Sequence, residues 1–296
     1  MGMGKDLAER FSEARDLFAA IDDALGFGLS RLMWEGPEVE LTLTHNTQPA
    51  ILAHSLAVAA VVRPRLRLVA GAGHSLGEYA AYGVAGSLTP ADAARLVRKR
   101  GELMHGAGEK RAGTMAAVLG LATDAVATAC REASTASEIA VPANLNTQDQ
   151  TVISGDPPAV ERAGEKCRGA GAKRVLPLKV SGAFHSPLMA PAQAGLRAEL
   201  ERVSFRAPSF PVIANATGEA VRDAGDALRL LDLQLVSPVR WVECMTRAAE
   251  VAGPGVTFVE MGPGNVLAGL LKRIVADAKS VSLGTADEVT KFMEAA

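Results

Sequence analysis

Apolar residues recur along this chain at two alternating periods. From Leu7 to Leu25 the apolar positions Leu7, Phe11, Ala14, Leu17 and Phe18 fall at three- and four-residue steps, which predicts one amphipathic helix. Ile51 to Val62 is apolar except for His54 and Ser55. It predicts a buried helix, because a bilayer span takes about 20 apolar residues. Leu66 to Ala72 predicts a short buried strand. Thr89-Pro90-Ala91-Asp92 marks a helix start: Thr89 can cap, Pro90 suits the first turn and Asp92 can complete a capping box. The helix that follows places Ala93, Leu96, Val97, Leu103 and Met104 on one stripe.

The middle third has its own order. Thr114 to Leu121 is strand-like and Thr123 to Ser134 helical. Glu138 to Asn146 and Gln150 to Ser154 are strand-like, Pro157 to Gly169 is helical, and Lys173 to Val180 is strand-like again. That is β-α-β-β-α-β, the ferredoxin-like order. Residues 113–181 are therefore expected to form a small subdomain inserted into a larger α/β domain made of 1–112 and 182–296. A helix from Ser186 follows, then a strand near Pro211 to Ala216 and two helices around 223–252. Last come a strand at Val256 to Glu260, the turn Gly262-Pro263-Gly264, a helix at Val266 to Val275, a short strand and a final helix.

Composition narrows the class. The chain has 296 residues, 48% of them hydrophobic, enough for a sizeable core and more than one subdomain. A formal net charge of −2 gives no global pull towards nucleic acid, so an acidic partner needs a local basic patch. Cys130, Cys167 and Cys244 are odd in number and contain no CxxC. A disulfide framework or zinc site is not expected, and a reducing, cytoplasmic location is. The N-terminus lacks a signal-peptide apolar core.

The chemistry concentrates in a few places. Gly73-His74-Ser75-Leu76-Gly77 is a GxSxG motif between a predicted strand and a predicted helix, the context a nucleophile elbow needs. Ser75 is then the nucleophile and the Leu76 amide an oxyanion donor at a helix N-terminus. A neutral serine needs a base. Of five histidines, His45 and His54 belong with the apolar helix, His74 adjoins the serine, and His105 lies at a helix end. His185, in Ser181-Gly182-Ala183-Phe184-His185-Ser186-Pro187, sits on a loop between rigid elements, and loops of that kind often carry catalytic groups. Arg100 falls on the apolar stripe of its helix, where a guanidinium needs an anionic partner or a route to solvent. The residues alone leave a structural pair and a clamp for a substrate carboxylate both open.

Taken together, these segments resemble the malonyl-CoA:acyl-carrier-protein transacylase family of fatty acid and polyketide synthesis. Gly73 to Ala80 resembles its nucleophile motif, and Arg100-Gly101-Glu102-Leu103-Met104 its carboxylate-binding helix. Ala183-Phe184-His185-Ser186 resembles its histidine motif, in the form associated with malonyl units. Asn144-Leu145-Asn146, Gln150 to Gly155 and Glu260-Met261-Gly262-Pro263-Gly264 are similar too, so the resemblance covers essentially the whole chain. It implies an α/β-hydrolase-like domain with a ferredoxin-like insertion, and a Ser–His dyad whose histidine is oriented by a backbone carbonyl, by position that of Gln234. It also implies Arg100 on the malonyl carboxylate and a pocket including His74, Phe184 and Asn144. No cofactor or metal is implied beyond coenzyme A as substrate carrier. An acidic acyl carrier protein is the implied partner, with Lys173, Arg174, Lys272 and Arg273 as the candidate basic surface. A serine thioesterase or esterase is the alternative activity.

One departure concerns the start. The family opens with a hydrophobic strand running into Phe-Pro-Gly-Gln-Gly-Ser-Gln, whose first glutamine supplies a second oxyanion amide. Met1 stands at the segment resembling the Gly-Met-Gly that follows. A start assigned too far downstream, or a shortened chain, is the expected reading. A non-catalytic carrier-protein-binding relic is the alternative, since losing one oxyanion donor costs about 10²–10³ in rate.

Overall fold

The first apolar stripe folds as two helices rather than one, in a computed structural model that describes residues 1–180 and 182–295. Ser181 and Ala296, the end residues of the expected segments 113–181 and 182–296, lie outside the described residues. The helices are Lys5–Arg10 and Ser12–Leu25, separated by Phe11 at φ −118° and ψ 124°. That one extended residue re-aims the chain. Leu7 and Ala8 on the first helix and Ala14, Phe18 and Ile21 on the second are thereby buried in a single core. The helix Thr44–Val62 is buried nearly all round. The helix Pro90–Lys110 packs along it, and the Thr89 hydroxyl accepts from the Asp92 amide at 3.0 Å.

The strands are β1 (Gly71–Ala72), β2 (Thr114–Leu119), β3 (Ala140–Thr147), β4 (Gln150–Gly155), β5 (Arg174–Pro177), β6 (Val212–Ile213), β7 (Ala220–Val221), β8 (Thr257–Met261) and β9 (Lys279–Leu283). They form an α/β fold with three sheets. In the large unit β1 pairs parallel to β6, β6 pairs antiparallel to β7, and β8 pairs parallel to β9. The small unit is a four-stranded antiparallel sheet in the order β3-β4-β2-β5, the ferredoxin-like arrangement. Its helices Thr123–Ala133 and Pro157–Gly169 enclose a separate core that includes Val118, Val126, Ile153 and Ala163.

Three boundaries differ from the hydrophobic pattern. Of the strand expected from Leu66 to Ala72, only Gly71 and Ala72 pair, because β6 meets the chain there and nowhere earlier. The strand expected over Pro211 to Ala216 is limited to Val212–Ile213, as the chain turns at Gly218, whose amide donates back to the Ala214 carbonyl at 2.8 Å. The helix from Val266 ends at Leu271, whose carbonyl is then shared by the Ile274 and Val275 amides in a closing turn.

Candidate active site

Ser75 lies between β1 and the helix Gly77–Val84, at φ 53°, in the left-handed region that side chains rarely adopt. Strain of this kind persists only where the surroundings enforce it. Here Asn215, just beyond β6, does so. Its side-chain carbonyl accepts from the Ser75 amide at 2.7 Å, and its side-chain amide donates to the Gly73 carbonyl at 2.8 Å. Gly73 is sterically required: a Cβ there would lie 2.0 Å from the Gly77 carbonyl carbon and oxygen. The second glycine of the motif differs from the sequence argument, since a Cβ on Gly77 meets no atom within 4 Å. Among the described residues the Leu76 amide donates to no recorded acceptor, and it stands at the start of a helix, where a partial positive charge favours an anion.

His185 also has a positive φ, 55°. The Ser186 hydroxyl shapes its loop, accepting from the Leu188 amide at 3.3 Å and donating to the Ala183 carbonyl at 2.6 Å. The buried His185 ring has its Nδ1 3.1 Å from the Gln234 backbone oxygen. A carbonyl only accepts, so the proton is on Nδ1 and Nε2 is free to accept from the Ser75 hydroxyl at 2.8 Å. Burial, reinforced by the Arg100 charge, pulls the His185 pKa down to about 3. The imidazole is therefore neutral and able to take a proton.

Arg100 is only 1% exposed. One Nη donates to Gln48 Oε1, and the other to Ser75 Oγ at 2.9 Å and to Gln234 Oε1 at 3.1 Å. Its guanidinium carbon lies 5.9 Å from the Tyr79 ring centroid. Among the described residues no carboxylate lies within ion-pair distance of it, and its Nε has no partner. A buried cation held only by neutral oxygens is an electrostatic seat for an anion.

The structure thus brings Ser75, His185, Arg100 and Gln234 together. His74 is beside them, with Nε2 2.9 Å from Asn146 Oδ1 and its ring 5.2 Å from that of Trp241. Phe184 packs on the adjoining core. Asn144 is buried in β3 at a bridge to Val239, and Asn146, two residues on, is the asparagine that meets His74. The basic residues flank one turn: the Lys173 stem covers Gly120, whose amide donates to the Asp149 carbonyl at 2.7 Å, and Arg273 forms an ion pair with the Asp149 carboxylate. Lys173, Arg174, Lys272 and Arg273 are all exposed.

The acyl transferase domain family matches residues 1–293. The malonyl CoA-acyl carrier protein transacylase of Bacillus subtilis (strain 168) is 40% identical over 290 residues, which cover 98% of this chain and 91% of that protein. The chain belongs to the malonyl-CoA:acyl-carrier-protein transacylase family. The Haemophilus influenzae transacylase is 42% identical over 287 residues, 96% of this chain and 91% of the relative. Two solved structures share the fold of this family member. An acyl carrier protein S-malonyltransferase from Vibrio cholerae aligns at a TM-score of 0.93 and 41% identity, covering 99% of this chain and 95% of that one. A malonyl-transacylase in complex with a type II polyketide synthase acyl-carrier protein aligns at 0.94 and 39% identity, covering 100% and 96%.

Within this transacylase, sequence reasoning missed four groups. Glu78 is fully buried behind Ser75 and accepts from the Asn215 backbone amide at 3.0 Å and Gln234 Nε2 at 2.8 Å. Burial pushes its pKa up to about 7, against the opposing pull of those bonds and of Arg100. Asn215, Gln48 and the Gln234 side chain reach the site through long-range bonds, for which a linear pattern carries no signal. Glu78 lies inside the quoted nucleophile motif, where a carboxylate at a buried helical position was the available clue.

Proposed function

We propose that this chain transfers a malonyl group from malonyl-CoA to the phosphopantetheine thiol of an acyl carrier protein through a malonyl-Ser75 intermediate. The observation that carries this reading is the buried Arg100 guanidinium, 2.9 Å from the Ser75 oxygen and in no ion pair among the described residues. An acyl group that ends in a carboxylate satisfies that charge while presenting its thioester to Ser75.

Neutral His185 takes the Ser75 proton through Nε2 as Oγ attacks the thioester carbon. The Gln234 carbonyl steadies the imidazolium through Nδ1–H. The Leu76 amide donates to the oxyanion. As the intermediate collapses, the carbon–sulfur bond breaks and His185 protonates the departing coenzyme A thiolate. The carrier-protein thiol then attacks the malonyl ester, giving its proton to His185, and Ser75 leaves with that proton. The balance is malonyl-CoA plus carrier thiol giving malonyl carrier protein plus free coenzyme A. A malonyl carboxylate on Arg100 also removes one of the causes that lower the His185 pKa, which strengthens the base when substrate is bound.

The chemistry needs no cofactor, since coenzyme A enters as the carrier of the acyl group. Lys173, Arg174, Lys272 and Arg273, around the turn next to the His74–Asn146 end of the site, are the docking surface for the acidic carrier protein. No helix among the described residues is long and apolar enough to cross a membrane, and the three buried free cysteines suit the reducing cytoplasm. The test is partition: with malonyl-CoA and excess holo carrier protein, malonyl carrier protein should dominate over free malonate. Dominant hydrolysis would favour the thioesterase reading.

A further inference from the structure

The Gln234 side chain holds three groups of the site at once. Its Nε2 donates to the Ser75 carbonyl at 3.0 Å and to Glu78 Oε2 at 2.8 Å. Its Oε1 accepts at 3.1 Å from the Arg100 Nη that also donates to Ser75 Oγ. Both Nε2 hydrogens are thereby used. Reversing the amide would set its oxygen against two acceptors, the Ser75 carbonyl and Glu78 Oε2. It would also set the amide hydrogens against a guanidinium, which only donates. Gln48 Oε1 takes the other Nη, so two glutamine oxygens fix the plane of the Arg100 guanidinium.

Glu78 secures this orientation from behind the nucleophile. It is 0% exposed, and a buried carboxyl is a costly group to place where an apolar side chain would fill the space. Its Oε2 does all the bonding, to Gln234 Nε2 and to the Asn215 backbone amide, while Oε1 has no hydrogen-bond partner among the described residues. A proton on Oε1 therefore leaves both bonds intact, and the neutral and ionised carboxyl hold Gln234 alike. We infer that Glu78 is a positioning residue for acyl-group selection: it fixes the Gln234 amide with its oxygen on Arg100, and so holds the guanidinium aligned for the carboxylate of a dicarboxylic acyl thioester. The inference rests on Arg100 selecting malonyl groups, as proposed above. The role needs an acceptor at Oε2 and no negative charge. Loss of the Asn215 bond falls on every acyl group alike, whereas loss of the Gln234 bond falls on those that carry a carboxylate.

Steady-state transfer of malonyl and acetyl groups from their coenzyme A esters to holo carrier protein tests it on the full chain. Glu78→Asp keeps the charge but withdraws the acceptor by one methylene, and should lower kcat/KM for malonyl about tenfold relative to acetyl. Glu78→Gln keeps an acceptor and places its amide nitrogen where Oε1 had no partner, so the malonyl-to-acetyl ratio should stay within about twofold. Gln234→Leu keeps the backbone carbonyl that orients His185 and should lose at least as much selectivity as Glu78→Asp. Combining the two should cost no further selectivity, because both act through one amide. Equal losses for the two acyl groups in Glu78→Asp would make Glu78 a structural residue and overturn the inference. So would a selectivity loss in Glu78→Gln as large as in Glu78→Asp, or additive losses in the double variant. Arg100→Ala, run alongside, separates the two levels. If it loses malonyl selectivity and Glu78→Asp does not, only the role of Glu78 falls; if it lowers both acyl groups equally, the malonyl reading falls with it.

Discussion

Replacing Arg100 by alanine separates the selection of the acyl group from the chemistry at the serine. In the folded chain the guanidinium donates to Gln48, Ser75 and Gln234 and faces no carboxylate among the described residues. A bound malonyl carboxylate would take two of these donors as charge-assisted hydrogen bonds. At about 1.5–3 kcal/mol each, their loss is worth about 3–6 kcal/mol, or roughly 10²–10⁴-fold in kcat/KM for malonyl transfer. An acetyl group has no carboxylate to lose, so its transfer should fall by less than about tenfold. The fold should survive. Arg100→Ala leaves two glutamine oxygens short of a donor but removes a buried cation whose desolvation opposes folding. The assay is steady-state transfer of malonyl and acetyl groups from their coenzyme A esters to holo carrier protein, with a thermal melt as control. Equal losses for the two acyl groups would refute the reasoning and leave Arg100 a structural residue that orders Ser75 and Gln234.

Other outcomes follow from the same geometry. Glu78 has a folded-state pKa near 7, above the ordinary 4.5. Between these values the folded chain holds more protons than the unfolded one, so stability falls as pH rises through that window and levels off above it, by about 3 kcal/mol in all. Glu78→Gln should remove that slope in urea midpoints measured from pH 5 to 8; an unchanged slope would mean that the carboxyl is ionised throughout. Gly73→Ala should lose several kcal/mol or fail to fold, because its Cβ would overlap the Gly77 carbonyl, while Gly77→Ala should stay within about 1 kcal/mol in chemical denaturation. Asn215→Ala, which strips two buried bonds from the elbow, should lower stability by about 2–4 kcal/mol and slow acylation of Ser75 in rapid-quench experiments.

What a linear reading captures here is local. The elbow is legible because strand, glycine, serine and helix are contiguous. Arg100 stands out because one charge interrupts an apolar stripe, although the stripe alone does not say which atoms the guanidinium meets. Gln234 enters only through the family resemblance, since a backbone carbonyl leaves no mark on residue choice. Asn215, Gln48 and Glu78 act across long sequence separations, 140 residues in the bond from Ser75 to Asn215, and no periodicity encodes such a pairing. Local sterics explain the helical misjudgement too. The steps from Leu7 to Phe18 continue through Phe11, yet one extended residue there re-aims two short helices without disturbing which side chains are buried.

The central claim is a covalent malonyl group on Ser75 that a carrier-protein thiol removes. Intact-mass and peptide mapping after incubation with malonyl-CoA should show one malonyl unit on the peptide carrying Ser75, absent in Ser75→Ala and discharged on adding holo carrier protein. A folded chain that gains no malonyl group, or gains one that the carrier thiol leaves in place, would contradict it.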